Sequence, residues 1–226
     1  MTGTPNLARA DVDAVRAAMV AAGRRMGVRG LVSATEGNLS VRLPGGRLLV
    51  TPSGLRKEEL DAADLLVVDL ASGAVAPDAQ GRRPSSDLAI HRAVHDRRPD
   101  VLAVAHAHPP GTLALTLAGE RPDPAALPET ALFLPRLPFV PFGAPGSDEL
   151  ARRIATALDE APAPRPGAVL LERHGAVAVG GGGGGDRSWS VEAAAAALRQ
   201  AVDRLELVEV LCRATRDALL IRAARR

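Results

Sequence analysis

The 226-residue chain has no tyrosine, three phenylalanines and one tryptophan. With aromatics at 2% of residues, the core has to be built from Ala, Val, Leu and Ile. The phenol, a common proton donor in catalysis, is missing. Few rings are available to stack on bases. Basic residues come in short pairs such as Arg24-Arg25 and Arg225-Arg226, and the formal net charge is only +2. Nucleic-acid binding is therefore not expected. The single cysteine, Cys212, excludes an intrachain disulfide framework and fits a reducing compartment. No apolar run reaches the length of a membrane span. The N-terminal MTGTPNLARADVDAVRAAM lacks the basic-then-apolar order of a secretory signal. The expectation is a soluble cytoplasmic protein with no membrane partner.

What is present alternates between two periods. Val12, Val15, Met19, Val20 and Ala22 recur at helical spacing over 11–26, with Gly27 expected to follow the helix end. NLSVRL and RLLVTP around PGG predict a hairpin, and LLVVDLASG a strand ending at Ser72-Gly73. PSSDLAIHRAVHDRRPD predicts a helix with Ser85 or Ser86 as N-cap, stopping before Pro99. VLAVAHAH is strand-like, and a short helix follows over GTLALTLAG. Residues 120–138 are proline-rich, with room for one short helix, and LPFVPF is extended. SDELARRIATALDEA is a capped helix. GAVLLERHGAVAVG is two strands around a polar tip, and a long amphipathic helix runs from Ser190. The glycine run at 180–185 reads as a flexible loop, because no spaced Gly-Lys-Ser/Thr opens a helix there. Helices alternating with hairpin pairs predict one α/β domain over 1–226 with a mixed sheet flanked by helices.

Five histidines make the search for chemistry short. His106 and His108 lie two apart in a strand, so both imidazoles point to one side and can reach one cation. The same spacing equally suits two hydrogen-bonded histidines at a strand end. His174 sits at the ERHG tip, followed by a glycine that permits tight backbone geometry. Three neutral imidazoles suit Zn2+, and also Mn2+, Fe2+ or Co2+. Asp87, His91 and His95 are spaced four apart on one helix face. On its own that stripe reads as a helix-start acid with two surface or packing histidines. Gly37 and Asn38, Ser53 and Gly54, and Ser85 and Ser86 each place backbone N–H groups or hydroxyls at a turn, where an anion can sit if they converge.

Taken together, SATEGNLSVR, TPSGLRKEEL with LLVVDLASG, RRPSSDLAIH, AHAHPPG, PFGAPGSDELA and ERHGAVAVG resemble the class II aldolase/adducin family. They stand in the family's order over about 10–215. The resemblance implies a three-layer α/β/α fold with a central, largely antiparallel mixed sheet. It implies a divalent metal, usually zinc, on His106, His108 and His174, with Asp87 as a further ligand or base, while His91 and His95 stay structural. It places substrate phosphate on Gly37, Asn38, Ser53, Gly54, Ser85 and Ser86. It also implies a homotetramer acting on a small sugar phosphate.

The activity this implies is lyase chemistry: retro-aldol cleavage of a ketose phosphate through a metal-stabilised enediolate, as in the fuculose-phosphate aldolases. Those aldolases use tyrosine acids, which this chain lacks. Glu129 in ALPETALF is a candidate replacement, because related methylthioribulose-phosphate dehydratases carry a catalytic glutamate at a similar distance after the histidine pair. A dehydratase or 4-epimerase on the same metal site is the alternative, and an adducin-like scaffold without catalysis is the third reading. Arg56, Lys57, Arg82 and Arg83 could assist anion binding but are expected to be solvated.

Overall fold

The computed structural model describes residues 8–78, 80–160, 162–181 and 189–225. The strands are β1 (Asn38–Leu43), β2 (Arg47–Val50), β3 (Leu66–Asp69), β4 (Val101–Ala107), β5 (Phe139–Val140), β6 (Ala168–Leu171) and β7 (Gly175–Gly181). The helices are α1 (Arg9–Val28), α2 (Leu88–Arg97), α3 (Pro110–Leu117), α4 (Pro128–Phe133), α5 (Asp148–Leu158) and α6 (Val191–Ala223). The strands form one seven-stranded sheet in the order β3-β2-β1-β4-β7-β6-β5. Every pairing is antiparallel except β5 with β6. This is the expected mixed, largely antiparallel sheet.

Side chains alternate across each strand, which sorts the core into two layers. Leu39, Val41 and Leu43 of β1, Ala103, Ala105 and Ala107 of β4, and Ala176 and Ala178 of β7 pack with α1 and α6. Val104, Val169, Leu171, Val177 and Val179 face the other way, onto Ile90 and Val94 of α2 and Ile154 and Leu158 of α5. A core of small residues lets helix and sheet approach closely. A Cβ added at Gly180 of β7 would lie 1.7 Å from the Ala197 carbonyl oxygen of α6. Leu205, Val208 and Cys212 are buried in this layer, and Leu211 is buried as well, so that face of α6 serves the core.

Several local expectations change. Gly27 lies inside α1 and does not stop it; a Cβ there would come within 2.8 Å of Glu58, so the glycine serves close approach. β3 ends at Asp69, whose carboxylate turns the chain by accepting from Ser72 N–H. Neither Ser85 nor Ser86 is the N-cap of α2. Asp87 occupies that position, and its side chain makes no capping bond. Gly180 and Gly181 belong to β7, and the rest of the glycine run lies outside the described residues. Trp189 is half-buried and donates its indole N–H to the Arg42 carbonyl at 2.8 Å.

β4 passes directly into α3 through Pro109 and Pro110. The orphan amides of that helix start have no local cap; Glu209 of α6 reaches across instead. Its carboxylate accepts from Gly111 N–H at 2.8 Å, Thr112 N–H at 2.9 Å and the Thr112 hydroxyl at 3.1 Å. Glu209→Ala is expected to lower the unfolding free energy by about 2 kcal/mol, because buried donors lose a charged acceptor. Guanidinium unfolding of the purified variant measures this, and an unchanged midpoint would contradict the role.

Candidate metal centre

His106 is wholly buried near the end of β4. Its Nδ1 donates to the Ala176 carbonyl of β7 at 2.9 Å. A carbonyl only accepts, so the ring proton is on Nδ1 and Nε2 presents a lone pair. His108 lies just past the strand end, and its Nδ1 donates to Glu36 Oε2 at 2.9 Å. In the neutral ring its Nε2 is also a lone pair. The two Nε2 atoms face each other at 2.9 Å. Two lone pairs at that distance repel, whereas a cation between them is bound by both.

His174 completes the cluster from the turn between β6 and β7. Its ring centroid is 4.9 Å from those of both other histidines, and its Nδ1 is buried without a partner among the described residues. The three residues offer ligand nitrogens that all lie within 4.8 Å of one another. Burial, reinforced by His108 and His174, holds His106 well below the usual histidine range. Burial and then His108 lower His174. Both rings are neutral near pH 7, the state that metal ligation requires.

Asp87 stands beside them. Its Oδ2 accepts from Asn38 Nδ2 at 3.0 Å and lies 3.7 Å from His106 Nε2. Its Oδ1 is buried and has no partner among the described residues. A buried carboxylate oxygen without a donor is costly, and it adds a negative charge where the lone pairs already call for a cation. The residues present thus fit a divalent metal ion.

The placement of these groups follows from register and turn geometry. Asn38 of β1 pairs with His106 of β4, and His106 with Val177 of β7. At Gly175 (φ 128°) a Cβ would lie 2.2 Å from the Ala107 carbonyl, so only glycine lets the His174 turn close on the end of β4. At Gly37 (φ 72°) a Cβ would strike Val32 at 2.5 Å.

His91 and His95 are neither surface residues nor plain packing. Both are buried and extend a hydrogen-bonded chain away from Asp87. Asn38 Nδ2 donates to Asp87 and to Ser85 Oγ, and Asn38 Oδ1 accepts from His91 Nε2 at 2.5 Å. His91 Nδ1 then accepts from the Ser40 hydroxyl at 2.6 Å, and Ser40 Oγ accepts from His95 Nε2 at 2.9 Å. Burial lowers His91 to about 4. Burial, then Arg42 and His91, holds His95 well below its usual range.

Gly37, Asn38, Ser53, Gly54, Ser85 and Ser86 line one cavity of about 410 Å³ together with Asp87, His108 and His174. Glu129 is not brought there. It lines a separate groove of about 550 Å³ against α6, beside Phe133 and Val210. Arg56 and Arg83 are exposed, and Arg82 pairs with Asp64 and Asp78, but Lys57 is buried, contrary to the solvated reading. Glu36, which fixes the His108 tautomer, is the residue that sequence reasoning missed. Its signal was a carboxylate directly before the Gly37 turn.

A histidine triad with a flanking carboxylate, at one end of a mixed sheet and beside a cavity lined by turn residues, is an arrangement that a metal-dependent enzyme can use. Residues 17–215 match the model of the Class II Aldolase and Adducin N-terminal domain, and the chain belongs to that family. The chain is 37% identical over 179 residues to a methylthioribulose-1-phosphate dehydratase of Acidiphilium cryptum, covering 75% of this chain and 82% of the relative. It is 35% identical over 153 residues to a 3-oxo-tetronate 4-phosphate decarboxylase of Cupriavidus necator, 66% of each. Other dehydratases of the first name match over about half of their own length. Among solved structures, the L-fuculose-1-phosphate aldolase of Thermus thermophilus superposes with a TM-score of 0.75 at 31% identity, covering 93% of this chain and 97% of that one. Among the described residues, no helix is long and apolar enough to cross a membrane.

Replacing Glu36 by alanine is expected to weaken divalent-metal binding by about 10- to 100-fold, the usual effect of removing an orienting partner, and to leave the stability of metal-free protein unchanged. Competition with a chromophoric chelator reads the first and thermal unfolding the second. Unchanged metal affinity would refute the orienting role.

Proposed function

We propose that the chain is a divalent-metal-dependent lyase that removes water from a ketose phosphate, with Asp87 as the proton carrier. The observation that carries this is the pair of imidazole nitrogens facing each other at 2.9 Å, beside a cavity lined by Gly37, Asn38, Ser53, Gly54, Ser85 and Ser86. His106, His108 and His174 would hold the ion, with Asp87 beside it. Zn2+ suits this donor set best, ahead of Mn2+, Fe2+ or Co2+. When bound, the ion supplies Lewis acidity toward a substrate carbonyl.

The chain's own groups do the rest. Backbone N–H groups and hydroxyls of Gly37, Asn38, Ser53, Gly54, Ser85 and Ser86 hold the phosphate and so fix the reacting carbons against Asp87. Asp87 takes the proton from the carbon beside the carbonyl. As the carbon–carbon double bond forms, the hydroxyl on the next carbon departs, and Asp87 returns the proton to it as water. The resulting enol becomes a second carbonyl by moving its hydroxyl proton to carbon, so no electrons enter or leave. One carboxylate suffices for this sequence. Retro-aldol cleavage needs a separate acid for the enediolate, and the tyrosine that serves the aldolases is absent. The similarity to dehydratases supports the same choice over the aldolase.

Incubating metal-loaded protein with ketose 1- and 5-phosphates, methylthioribulose 1-phosphate among them, tests the reading. Water loss with a dicarbonyl product is the expected result. Release of dihydroxyacetone phosphate, glycolaldehyde phosphate or carbon dioxide would overturn it. Asp87→Asn is expected to lower kcat by about 10²- to 10⁴-fold.

The same proposal includes the homotetramer. Because Glu129 lies in a different groove, it can reach a reacting centre only across a subunit boundary. With Asp87 carrying the proton unaided, Glu129→Gln is expected to keep its activity; a loss of about 10²-fold, recovered on co-assembly with Asp87→Asn subunits, would instead place Glu129 in the reaction of a neighbouring subunit.

A further inference from the structure

Lys57 is the only lysine of the chain; every other basic residue among the 28 is arginine. It is also buried, with 1% of its surface exposed. Its Nζ donates to the Thr35 carbonyl at 2.9 Å and the Leu55 carbonyl at 2.5 Å, and it forms no ion pair among the described residues. Thr35 opens the loop that carries Gly37 and Asn38, and Leu55 directly follows Ser53 and Gly54. The ammonium therefore sits behind two of the three loops that line the anion cavity and ties them together. Its ammonium is a compact point charge on a flexible stem, with donors that turn to meet both carbonyls.

A buried cation without a counter-charge is expensive. Burial lowers Lys57 to about 8, against the weaker opposing pull of Glu58 and Glu36. α1 packs against this turn with Gly23 at the Lys57 carbonyl and Gly27 at the Glu58 side chain. Across the loops, the cavity wall carries Glu36, Asp87, His108 and His174. The missing negative charge has a natural source, an anion seated on the far side of the two loops.

We infer that Lys57 is a positioning residue for the substrate phosphate: it locks the Thr35 and Leu55 peptide units behind the anion loops and supplies, through one layer of backbone, the positive charge that balances the phosphate. This rests on the reading of those loops as the phosphate site. By reciprocity, a dianion that binds better to charged Lys57 must raise the Lys57 ionisation, and its affinity must fall as pH rises through that ionisation.

Sulfate is a suitable probe because it remains a dianion throughout. It is titrated into metal-free full-length protein, so that it cannot sit on a metal, at pH values from about 7 to about 10. Affinity is expected to weaken about tenfold across this range, and the ionisation midpoint of Lys57 to rise by about one pH unit at saturation, the equivalent shift. With lysine labelled at 13Cε, the single side-chain resonance reads that midpoint directly. Lys57→Met is expected to bind sulfate about tenfold more weakly near pH 7, with the pH dependence abolished although His108, His174 and both carboxylates remain. If that variant does not fold, the wild-type resonance and pH series decide alone. Sulfate binding that Ser53→Ala and Ser85→Ala weaken, with an unmoved Lys57 midpoint, would overturn this inference and leave the phosphate site standing. Absence of binding, or binding indifferent to both serines, would overturn the phosphate site and this inference with it.

Discussion

Two imidazole lone pairs held 2.9 Å apart are the constraint around which the rest of the molecule is arranged. Neither ring can relieve the repulsion by turning over, because each Nδ1 proton is committed to an acceptor from a different strand neighbourhood. β7 supplies the Ala176 carbonyl, and the loop entering β1 supplies Glu36. This gives the strand order a chemical meaning. β4 carries both rings and lies between β1 and β7, so each neighbour pins one tautomer. His174 enters from the turn between β6 and β7, which Gly175 alone permits to close on the end of β4.

Local stability is given up around the same point. The start of α2 has an aspartate in the capping position that does not cap, forgoing about 1 kcal/mol, so that the carboxylate is free to face the histidines. Asp87 Oδ1 and His174 Nδ1 are buried and unpartnered among the described residues. Ala34 and Arg173, both next to site loops, hold left-handed backbone that side chains other than glycine rarely adopt. These costs cluster at one end of the sheet, while the two apolar layers and the Glu209 bridge hold the remainder.

What could be read from the sequence is what depends on short-range geometry. The two-residue spacing of His106 and His108 puts both rings on one strand face wherever that strand lies. The glycine after His174 announces a tight turn, and the six anion-loop positions are ordinary turn chemistry. The mixed sheet follows from alternating hairpins and helices, and its largely antiparallel pairing from the family resemblance. What could not be read depends on partners far away in the chain. Glu36 meets His108 across 72 positions. Gly27 looks like a helix stop until Glu58 packs on it, and Ser85 looks like a cap until Asn38 claims its hydroxyl. His91 and His95 look like surface or packing residues until β1 brings Ser40 and Asn38 to them. Lys57 looks solvated until two loops fold over it. The choice between retro-aldol cleavage and water loss is hidden for a similar reason: the quoted motifs are shared by a whole family and set the histidine triad, and the departing group depends on the acids around it.

The scarcity of aromatic residues has a practical side. Trp189 is the only indole, and no phenol competes with its emission. Its N–H is bound to the Arg42 carbonyl, while the Arg42 guanidinium donates to the His95 carbonyl, at the far end of the histidine chain that begins at Asp87. The protein thus carries a built-in optical reporter, linked by backbone and hydrogen bonds to Asp87 beside its histidine triad. A change in its fluorescence when a metal or phosphate compound is added has a single possible source in the chain.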